Sequence, residues 1–305
     1  MATETRQTGY LFLLTGYVIF GFSFMFSKGI LEMTTPFVML GVRFALVTLL
    51  MGVILVVKKK RIPWRHPRFK ELIALGLVQP FLYFVCESYG VKLLQTSFVG
   101  IILSLIPITS FGLGSLFLKE RVSMSQIGFA ILGISGVILT TLGEATGSFS
   151  LLGMLFILGS VVTASLFNVI SRRSATQFDA YERTFVQFFV GFIMFVPLAI
   201  MDISKDITRW TTPVSTFSFW GGMIFLAAVS SVLAFLLINH AMTHVEVAKA
   251  SIFANVTTIV SIFAGIVFLH ESFGWVQALG TVVILVSVYG VNRPRQKVTQ
   301  PTMLS

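Results

Sequence analysis

Ten stretches of about 20 mostly apolar residues follow one another along this chain, separated by short polar breaks. A helix needs about 20 apolar residues to cross a hydrocarbon core of roughly 30 Å, so each stretch is long enough to span a membrane. Barrel strands are shorter and alternate apolar with polar residues, and these continuous runs do not. We therefore predict an all-α membrane protein with ten transmembrane helices. Numbered as segments 1 to 10, the stretches cover approximately residues 9–28, 36–57, 71–91, 96–118, 124–142, 151–171, 182–201, 217–239, 248–269 and 274–291.

The basic residues are distributed unevenly between the two sides that these segments define. With the N-terminus placed inside, 17 of the 22 Lys and Arg residues lie on the inner side, four lie on the outer side, and Arg43 lies within segment 2. Cytoplasmic loops of membrane proteins carry such an excess of Lys and Arg. We expect a multi-pass protein of the cell (cytoplasmic) membrane with both termini in the cytoplasm. The formal charge of +10 then reflects topology and does not indicate a nucleic-acid partner.

The same short motif occurs where segments 4 and 9 end. The stretch FLKE occupies residues 117–120 and the stretch FLHE occupies residues 268–271, an offset of 151 residues. This offset also aligns Gln126 with Gln277. One match could arise by chance, but the alignment continues through the segments on either side of the motif.

The front part of each half aligns at a different offset, 144, which places Arg43 on Gln187. The slip of seven residues falls in the loop after the second segment of each half, where insertions are tolerated. The chain therefore consists of two five-segment repeats, residues 1–147 and 148–305. Because five is odd, the two repeats must cross the membrane in opposite directions, an inverted arrangement found in many secondary transporters.

Two further stretches are FGFSFMFSK in segment 1 and PFVMLGVRFALV in segment 2. Together with the two FLxE ends, and in this order, they resemble the EamA-type members of the drug/metabolite transporter superfamily, which have ten helices in two five-helix repeats. The resemblance extends over about residues 9–291. It implies a central cavity enclosed by segments 1, 3, 4, 6, 8 and 9, with the other segments more peripheral. It also implies export of amino acids or related compounds across the cytoplasmic membrane by alternating access.

The glutamates of the two motifs, Glu120 and Glu271, each follow one helix and lie three to four residues before the next. A carboxylate in this position can accept hydrogen bonds from the free N–H groups of a helix start, and it interacts favourably with the helix dipole. We therefore interpret both residues as structural caps, Glu120 for segment 5 and Glu271 for segment 10. A role in proton coupling is the alternative.

Two ionisable residues lie inside the apolar segments. At 1.5 Å per residue, Arg43 lies about 10 Å deep in segment 2 and Glu87 about 6 Å deep in segment 3. An ionised side chain at mid-bilayer costs at least about 2.5 to 3.5 kcal/mol, so it usually faces a partner or a cavity. We expect Arg43 to form a structural ion pair with Glu87, or to bond helix-end carbonyl groups. Direct binding of a substrate carboxylate by Arg43 is the alternative.

Polar and aromatic residues recur at helical spacing in several segments. Amide side chains such as Asn168 and Asn255 need several hydrogen bonds, which lipid does not offer. Glycine and small hydroxyl residues can instead serve helix packing alone. The substrate cavity that we predict is lined by Phe20, Ser23, Gln79, Tyr83, Glu87, Ser104, Phe111, Asn168, Asn255 and Thr258.

Pro107 lies in the middle of segment 4. A proline inside a helix frees a carbonyl group and permits a kink, so we predict a hinge at this position. A fixed bend, which does not move, is the alternative.

Several functional classes lack their sequence signatures. The chain has no G-x-x-x-x-G-K-[ST] stretch, which argues against ATP hydrolysis by a P-loop. His240 and His244 are four residues apart, but they do not form an H-E-x-x-H motif. We therefore predict no catalytic residues, no metal site and no cofactor.

The function that we predict is secondary transport of a small-molecule substrate by a protein embedded in the lipid bilayer. One alternative is a membrane-embedded enzyme that acts on lipid-linked substrates, and another is a membrane sensor that does not transport. Coupling to protons or sodium ions, and a monomeric or homodimeric state, remain open.

Overall fold

The computed structural model describes residues 2–118, 123–144, 150–174, 177–241 and 247–291. Within these ranges every regular element is a helix and there is no strand. The predicted all-α fold is therefore confirmed for the described part of the chain.

The helices follow the predicted segments closely. In the first half they are Ala2–Leu31 (segment 1), Pro36–Val57 (segment 2), Phe69–Gly76 with Tyr83–Leu93 (segment 3), Thr96–Leu103 with Ile106–Leu118 (segment 4) and Met124–Glu144 (segment 5). In the second half they are Leu151–Ser174 (segment 6), Ala180–Lys205 (segment 7), Phe217–Ile224 with Ala234–Ala241 (segment 8), Val247–Phe268 (segment 9) and Trp275–Val291 (segment 10). The π-helical stretches Leu77–Leu82 and Phe225–Leu233 complete segments 3 and 8, and a short helix, Thr208–Val214, lies between segments 7 and 8.

Eight helical stretches, one in each of segments 1 to 8, are long and apolar enough to cross a membrane. In segments 9 and 10 the apolar helices within the described residues are shorter, Asn255–Phe268 and Trp275–Val291. The chain is thus a helical membrane protein. The predicted number of ten spans is compatible with this structure, although within the described residues eight helical stretches are long enough to cross a membrane.

Helices from the two halves pack against one another in a regular pattern. Segment 2 packs on segment 7, segment 5 on segment 10, and the start of segment 4 on segment 9. Segment 1 packs on segments 8 and 9, and segment 6 packs on segments 3 and 4. This set of pairs is unchanged when each segment is exchanged for the one five places away. At the contact of segments 2 and 7, the rings of Phe44 and Phe188 lie 6.0 Å apart, and the offset of 144 carries one residue onto the other.

Segments 5 and 10 approach so closely that glycine is required between them. A Cβ atom at Gly136 would lie 2.6 Å from Ile284 Cγ1 and 2.9 Å from the carbonyl oxygen of Gly280. A Cβ atom at Gly133 would lie 2.6 Å from Ser287 Oγ. The offset of 151 carries Gly133 to Ile284 and Gly136 to Ser287, so the two contacts exchange partners. Such reciprocal contacts are the pattern that a two-fold relation between the halves would produce.

A polar contact joins the halves outside the apolar segments. Lys60, in the loop after segment 2, donates a hydrogen bond of 2.6 Å to Asp179, the N-cap residue of segment 7. This hydrogen bond raises the pKa of Lys60. Burial alone would raise the pKa of Asp179, but the hydrogen bonds from Lys60 and from the N–H of Glu182 outweigh it and the pKa falls. Since both side chains are well exposed, the pair orients the loop rather than stabilising the fold strongly.

We predict that Gly136→Ala destabilises the protein, because the new methyl group must push apart two helix backbones that are already in contact. Thermal unfolding of the detergent-purified protein measures the effect, and the midpoint should fall by several degrees. Gly128→Ala is the matched control, since it lies in the same helix and a Cβ atom there meets nothing within 4 Å. Equal midpoints for the two variants would contradict the close packing of segments 5 and 10.

Candidate functional site

Glu271 links the end of segment 9 to the start of segment 4. Its Oε1 accepts a hydrogen bond of 2.5 Å from the N–H of Thr96, and its Oε2 accepts bonds from the N–H and the Oγ of Ser97 at 2.9 and 2.8 Å. Thr96 and Ser97 are fully buried. The carboxylate thus satisfies free donors in the first turn of Thr96–Leu103, at the positive end of that helix. We call this arrangement the Glu271 cap.

The partner of Glu271 differs from the one we expected. We expected Glu271 to cap segment 10, but the side chain of Gln277 does so by accepting a bond of 2.6 Å from the N–H of Gly274. The chain turns back after segment 9, with His270 at φ 54° and the N–H of Glu271 bonded to the carbonyl of Gly265 at 3.0 Å. This turn directs the carboxylate toward segment 4. The other predicted cap, Glu120, lies outside the described residues.

At the same end of the bundle, Lys28 bonds the free carbonyl groups of a helix end. Its Nζ donates hydrogen bonds to the carbonyl oxygens of Val91, Lys92 and Leu94 at 3.0, 3.2 and 2.8 Å. These are free carbonyl groups at the C-terminus of segment 3, where a cation is favourable. A cavity of about 210 Å³ lies between these two groups, and it is lined by Lys28, Glu32, Leu93, Leu94, Gln95, Leu269 and Glu271. We call this the capped end of the bundle.

Burial changes abruptly along segment 4. Residues 96–104, next to the capped end, are all buried, whereas residues 105–113 are partly buried or exposed. In the buried part, Thr258 of segment 9 donates a hydrogen bond of 3.2 Å to the carbonyl of Gly100. Segments 4 and 9 therefore pack together at the capped end, and segment 4 is less buried beyond residue 104.

The helix of segment 4 is interrupted at this change in burial. It stops at Leu103 and begins again at Ile106, so that Pro107 is the second residue of the new helix. Proline is tolerated in the first turn because its missing N–H would have no partner there. The break lies where we predicted a hinge, and a change of angle at this position stays a prediction.

On the open side of segment 4, a polar contact joins it to segment 6. The Nδ2 of Asn168 donates a hydrogen bond of 3.0 Å to Ser110 Oγ, and Asn168 is exposed. Phe111, the next residue, is partly buried, as is Asn255 of segment 9. Of the predicted lining, these residues of segments 4, 6 and 9 are at least partly exposed, and their place in a substrate cavity stays a prediction.

Other predicted lining residues have contacts within the protein. Ser23 donates to the carbonyl of Phe20 at 2.7 Å, and Ser104 donates to that of Ile101 at 2.6 Å. The ring of Phe20 contacts that of Phe235 in segment 8 at 6.0 Å between centroids. Both hydroxyl groups are thus bonded within their own helices, and their place in the cavity lining stays a prediction.

Gln79 and Tyr83 lie at the irregular part of segment 3. Gln79 has φ −144° and ψ 114°, outside the helical region, and Pro80 follows it. Segment 8 has its own π-helical stretch at the aligned positions, since the offset of 151 carries Gln79 to Ser230 and Pro80 to Ser231. π-Helical turns occur often at functional sites. Hydrophobic periodicity did not reveal these stretches, and Pro80 was the sequence feature that could have indicated the first of them.

Arg43 and Glu87 lie in the protein interior, each 4% exposed. The Nε of Arg43 donates a hydrogen bond of 3.1 Å to Ser231 Oγ, and its guanidinium carbon lies 4.5 Å from the ring centroid of Phe84. Arg43 and Glu87 interact electrostatically. Among the ion pairs of the described residues, however, none joins them within 4.0 Å. We call Arg43, Phe84, Glu87 and Ser231 the charged cluster.

Arg43 and Glu87 are therefore not in direct contact, as we predicted they would be, although they interact electrostatically. Counting residues along the segments placed Arg43 and Glu87 at a similar depth in the membrane. The rotation of segment 2 about its axis, however, directs the guanidinium group to Ser231 on segment 8. Ser231 in turn donates a bond of 2.8 Å to the carbonyl of Leu226. Helical periodicity alone did not identify Ser231 as the partner.

We predict that Glu271→Ala loosens the capped end, because three hydrogen bonds to a charged group are lost. Ser261→Cys in a Cys86→Ser background provides a reporter, since Ser261 is fully buried between segments 4 and 9 and Cys86 is the only native cysteine. Losing even one charge-assisted bond of about 1.5 kcal/mol should speed maleimide labelling about tenfold in detergent. Glu32→Ala, at an exposed carboxylate lining the same cavity, is the control and should leave the rate unchanged. An unchanged rate in Glu271→Ala would show that the cap does not hold this end closed.

Relatives of the chain are described as transporters. A Bacillus subtilis (strain 168) protein named "Uncharacterized transporter YcxC" is 29% identical over 304 residues, which cover 98% of this chain and 97% of that protein. A second protein of the same organism, "Uncharacterized transporter YetK", is 26% identical over 294 residues, covering 93% and 87%. An "Uncharacterized transporter" of Archaeoglobus fulgidus is 24% identical over 278 residues, covering 90% and 95%.

The fold also has a counterpart among solved structures. A structure titled "Crystal structure of protein" superposes with a TM-score of 0.64 at 16% identity, over 94% of this chain and 96% of that one. The model of the EamA-like transporter family matches this chain twice, over residues 7–142 and 151–293. Because the two matches together span nearly all of the segments, the chain belongs to the EamA-like transporter family.

Proposed function

We propose that the protein is a secondary transporter that moves small metabolites across the cytoplasmic membrane by alternating access. The observation that carries this proposal is the split in burial along segment 4. Residues 96–104 are buried beneath the Glu271 cap, while Asn168 is exposed and Ser110 and Phe111 are partly buried on the other side of the break. A bundle closed at one end and open at the other can serve as one of the two states that alternating access requires.

Two inverted repeats, residues 1–147 and 148–305, would supply the second state. The double match of the family model supports this division, as do the helix pairs that are unchanged when the halves are exchanged. If the repeats exchange conformations, the closed end opens and the open end closes. The excess of Lys and Arg at the opposite end supports placing the capped end at the outer face, with both termini in the cytoplasm.

The residues exposed beyond the break support a substrate class. Asn168, Ser110 and Asn255 offer amide and hydroxyl groups, and Phe111 offers an aromatic face, which together suit a small amphipathic metabolite. Amino acids or related compounds are such molecules, and the resemblance to the family favours their export. Proton or sodium gradients would supply the energy, since the sequence lacks a P-loop.

We predict that purified protein in liposomes catalyses flux of amino acids from a mixture of the 20 common ones, measured by mass spectrometry of the outside medium. Asn168→Ala should reduce this flux several-fold, because it removes an amide group from the proposed cavity lining. It also removes the hydrogen bond from Asn168 to Ser110. Leu142→Ala is the control, since that side chain is 64% exposed on segment 5 and should contact lipid. Imposed pH and sodium gradients in the same assay identify the coupling ion.

Two outcomes would contradict the proposal. Unchanged flux in Asn168→Ala and in Asn255→Ala would remove these residues from the pathway. A product formed by the protein in detergent, where no compartments exist, would instead favour an enzyme that acts on lipid-linked substrates.

A further inference from the structure

The loop after segment 2 concentrates positive charge. Residues 58–70, which we call the basic loop, contain seven of the 22 Lys and Arg residues and no carboxylate. Lys60 pairs with Asp179 at 2.6 Å, and Arg68 pairs with Glu71 at 2.7 Å. The other five cationic side chains are exposed, and they form no ion pair with the described residues. These five are Lys58, Lys59, Arg61, Arg65 and Lys70.

The basic loop is packed against the helices of both halves. The ring of Trp64 lies 5.3 Å from that of Phe69, where segment 3 begins, and 5.8 Å from that of Phe189 on segment 7. Ile62 packs on a buried cluster to which segment 3 contributes Leu72 and segment 7 contributes Val186. These contacts hold the loop in place, so its cations project from an ordered surface and not from a loose linker.

The carboxylates that interact with this loop are already bonded. Asp179 accepts hydrogen bonds from Lys60 and, at 2.8 Å, from the N–H of Glu182. Glu182, which also interacts electrostatically with Lys60, accepts a bond of 2.9 Å from the N–H of Asp179. Glu71 is bonded to Arg68. We therefore look outside the described chain for the negative charge that balances the five unpaired cations.

The corresponding stretch of the second half is balanced within itself. Residues 202–216, where segment 7 ends, contain Asp202, Lys205, Asp206 and Arg209, whose charges sum to zero. Arg209 is paired with Asp202 at 3.2 Å and with Asp206 at 3.5 Å. A repeat of this fold can therefore form the same connection without surplus charge, and the surplus of the basic loop calls for its own explanation.

The basic loop lies directly beside surface that faces lipid. Segment 2 ends at Val57, and Val56 and Val57 are 78% and 72% exposed, as expected for side chains in contact with a bilayer. Trp64 is 52% exposed, and tryptophan is enriched at the level of lipid headgroups. Clusters of four to eight Lys and Arg residues immediately beside a transmembrane helix attract anionic headgroups. The unpaired cations are thus at the level of the lipid phosphates.

We propose that the basic loop is a binding surface for the phosphate-bearing headgroups of anionic phospholipids, with Trp64 inserted at the interface. This inference goes beyond the proposed transport function and does not depend on it. The excess of Lys and Arg that orients a membrane protein requires no bound lipid, so the inference is also separate from the topology. Because the loop contacts segment 7 through Lys60 and Trp64, a bound lipid would strengthen a junction between the halves.

The test measures which lipid lies beside Trp64. Full-length protein is placed in nanodiscs of equal parts phosphatidylglycerol and phosphatidylcholine, with bromine, which quenches tryptophan fluorescence, on the chains of one lipid or the other. Subtracting the signal of Trp64→Phe from that of wild type isolates Trp64, and Trp210→Phe isolates Trp210 of the balanced stretch in the same way. We expect brominated phosphatidylglycerol to quench Trp64 more than brominated phosphatidylcholine does, and the two lipids to quench Trp210 equally. The excess at Trp64 should fall as sodium chloride is raised, because salt screens exposed charges.

Paired lysine variants assign the preference to the loop. Lys58→Gln with Lys59→Gln should lower the relative affinity for phosphatidylglycerol about fivefold for each lysine removed. Lys92→Gln with Lys205→Gln is the matched control, since both lysines are exposed, lie at the opposite end of the bundle and have no ion pair among the described residues. It should leave the excess unchanged. Lys58→Arg with Lys59→Arg keeps the charges and should retain the excess. If the glutamine pair does not insert, the salt dependence of wild type serves as the test.

Three results would overturn the inference. The first is equal quenching of Trp64 by the two brominated lipids, and the second is an excess that persists both in the glutamine pair and at high salt. The third is loss of the excess when soluble glycerophosphoglycerol is added, because the loop would then bind a free phosphate compound and not a membrane lipid. All three are read without measuring flux, so they leave the proposed transport function untouched.

Discussion

Every backbone N–H and C=O group within hydrocarbon must find a partner in the protein, and this constraint governs the structure more than any other. Helices satisfy most of these groups, but each helix leaves four donors and four acceptors free at its ends. At the capped end, Glu271 serves the donors of segment 4 and Lys28 serves the acceptors of segment 3. Two charges in an apolar protein therefore lie where backbone groups would otherwise lack partners, and they join segments that are far apart in sequence.

The same constraint explains where the chain departs from regular helix. The irregular stretches Leu77–Leu82 and Phe225–Leu233 lie in segments 3 and 8, both of which pack against other segments. Irregular backbone at membrane depth is tolerated where it is buried in protein or lines a cavity. In segment 8 the Oγ of Ser231 donates a bond to the carbonyl of Leu226 and accepts one from the Nε of Arg43. Ser231 thus connects an intramembrane arginine to the π-helical stretch of segment 8.

Local patterns were enough to predict the helices, because apolar length in a membrane protein depends on the bilayer and not on tertiary contacts. The partner of Glu271 could not be predicted in this way, since Thr96 is 175 residues away in sequence and only the folded bundle brings them together. The partner of Arg43 could not be predicted for a different reason. Its depth followed from counting residues, but depth leaves the rotation of segment 2 undetermined, and that rotation selects Ser231 instead of Glu87.

The two groups of charged residues differ in how completely they are bonded, and this difference separates their roles. Glu271 accepts three hydrogen bonds and Lys28 donates three, so each meets the demands of a helix end within the chain itself. Arg43 and Glu87 are more deeply buried than these groups and are satisfied less by their neighbours in the described structure. In a medium where an unmet charge is costly, a satisfied group stabilises one conformation, whereas an unsatisfied group favours whatever completes it. The first condition describes the Glu271 and Lys28 contacts, which stabilise the closed arrangement of the capped end.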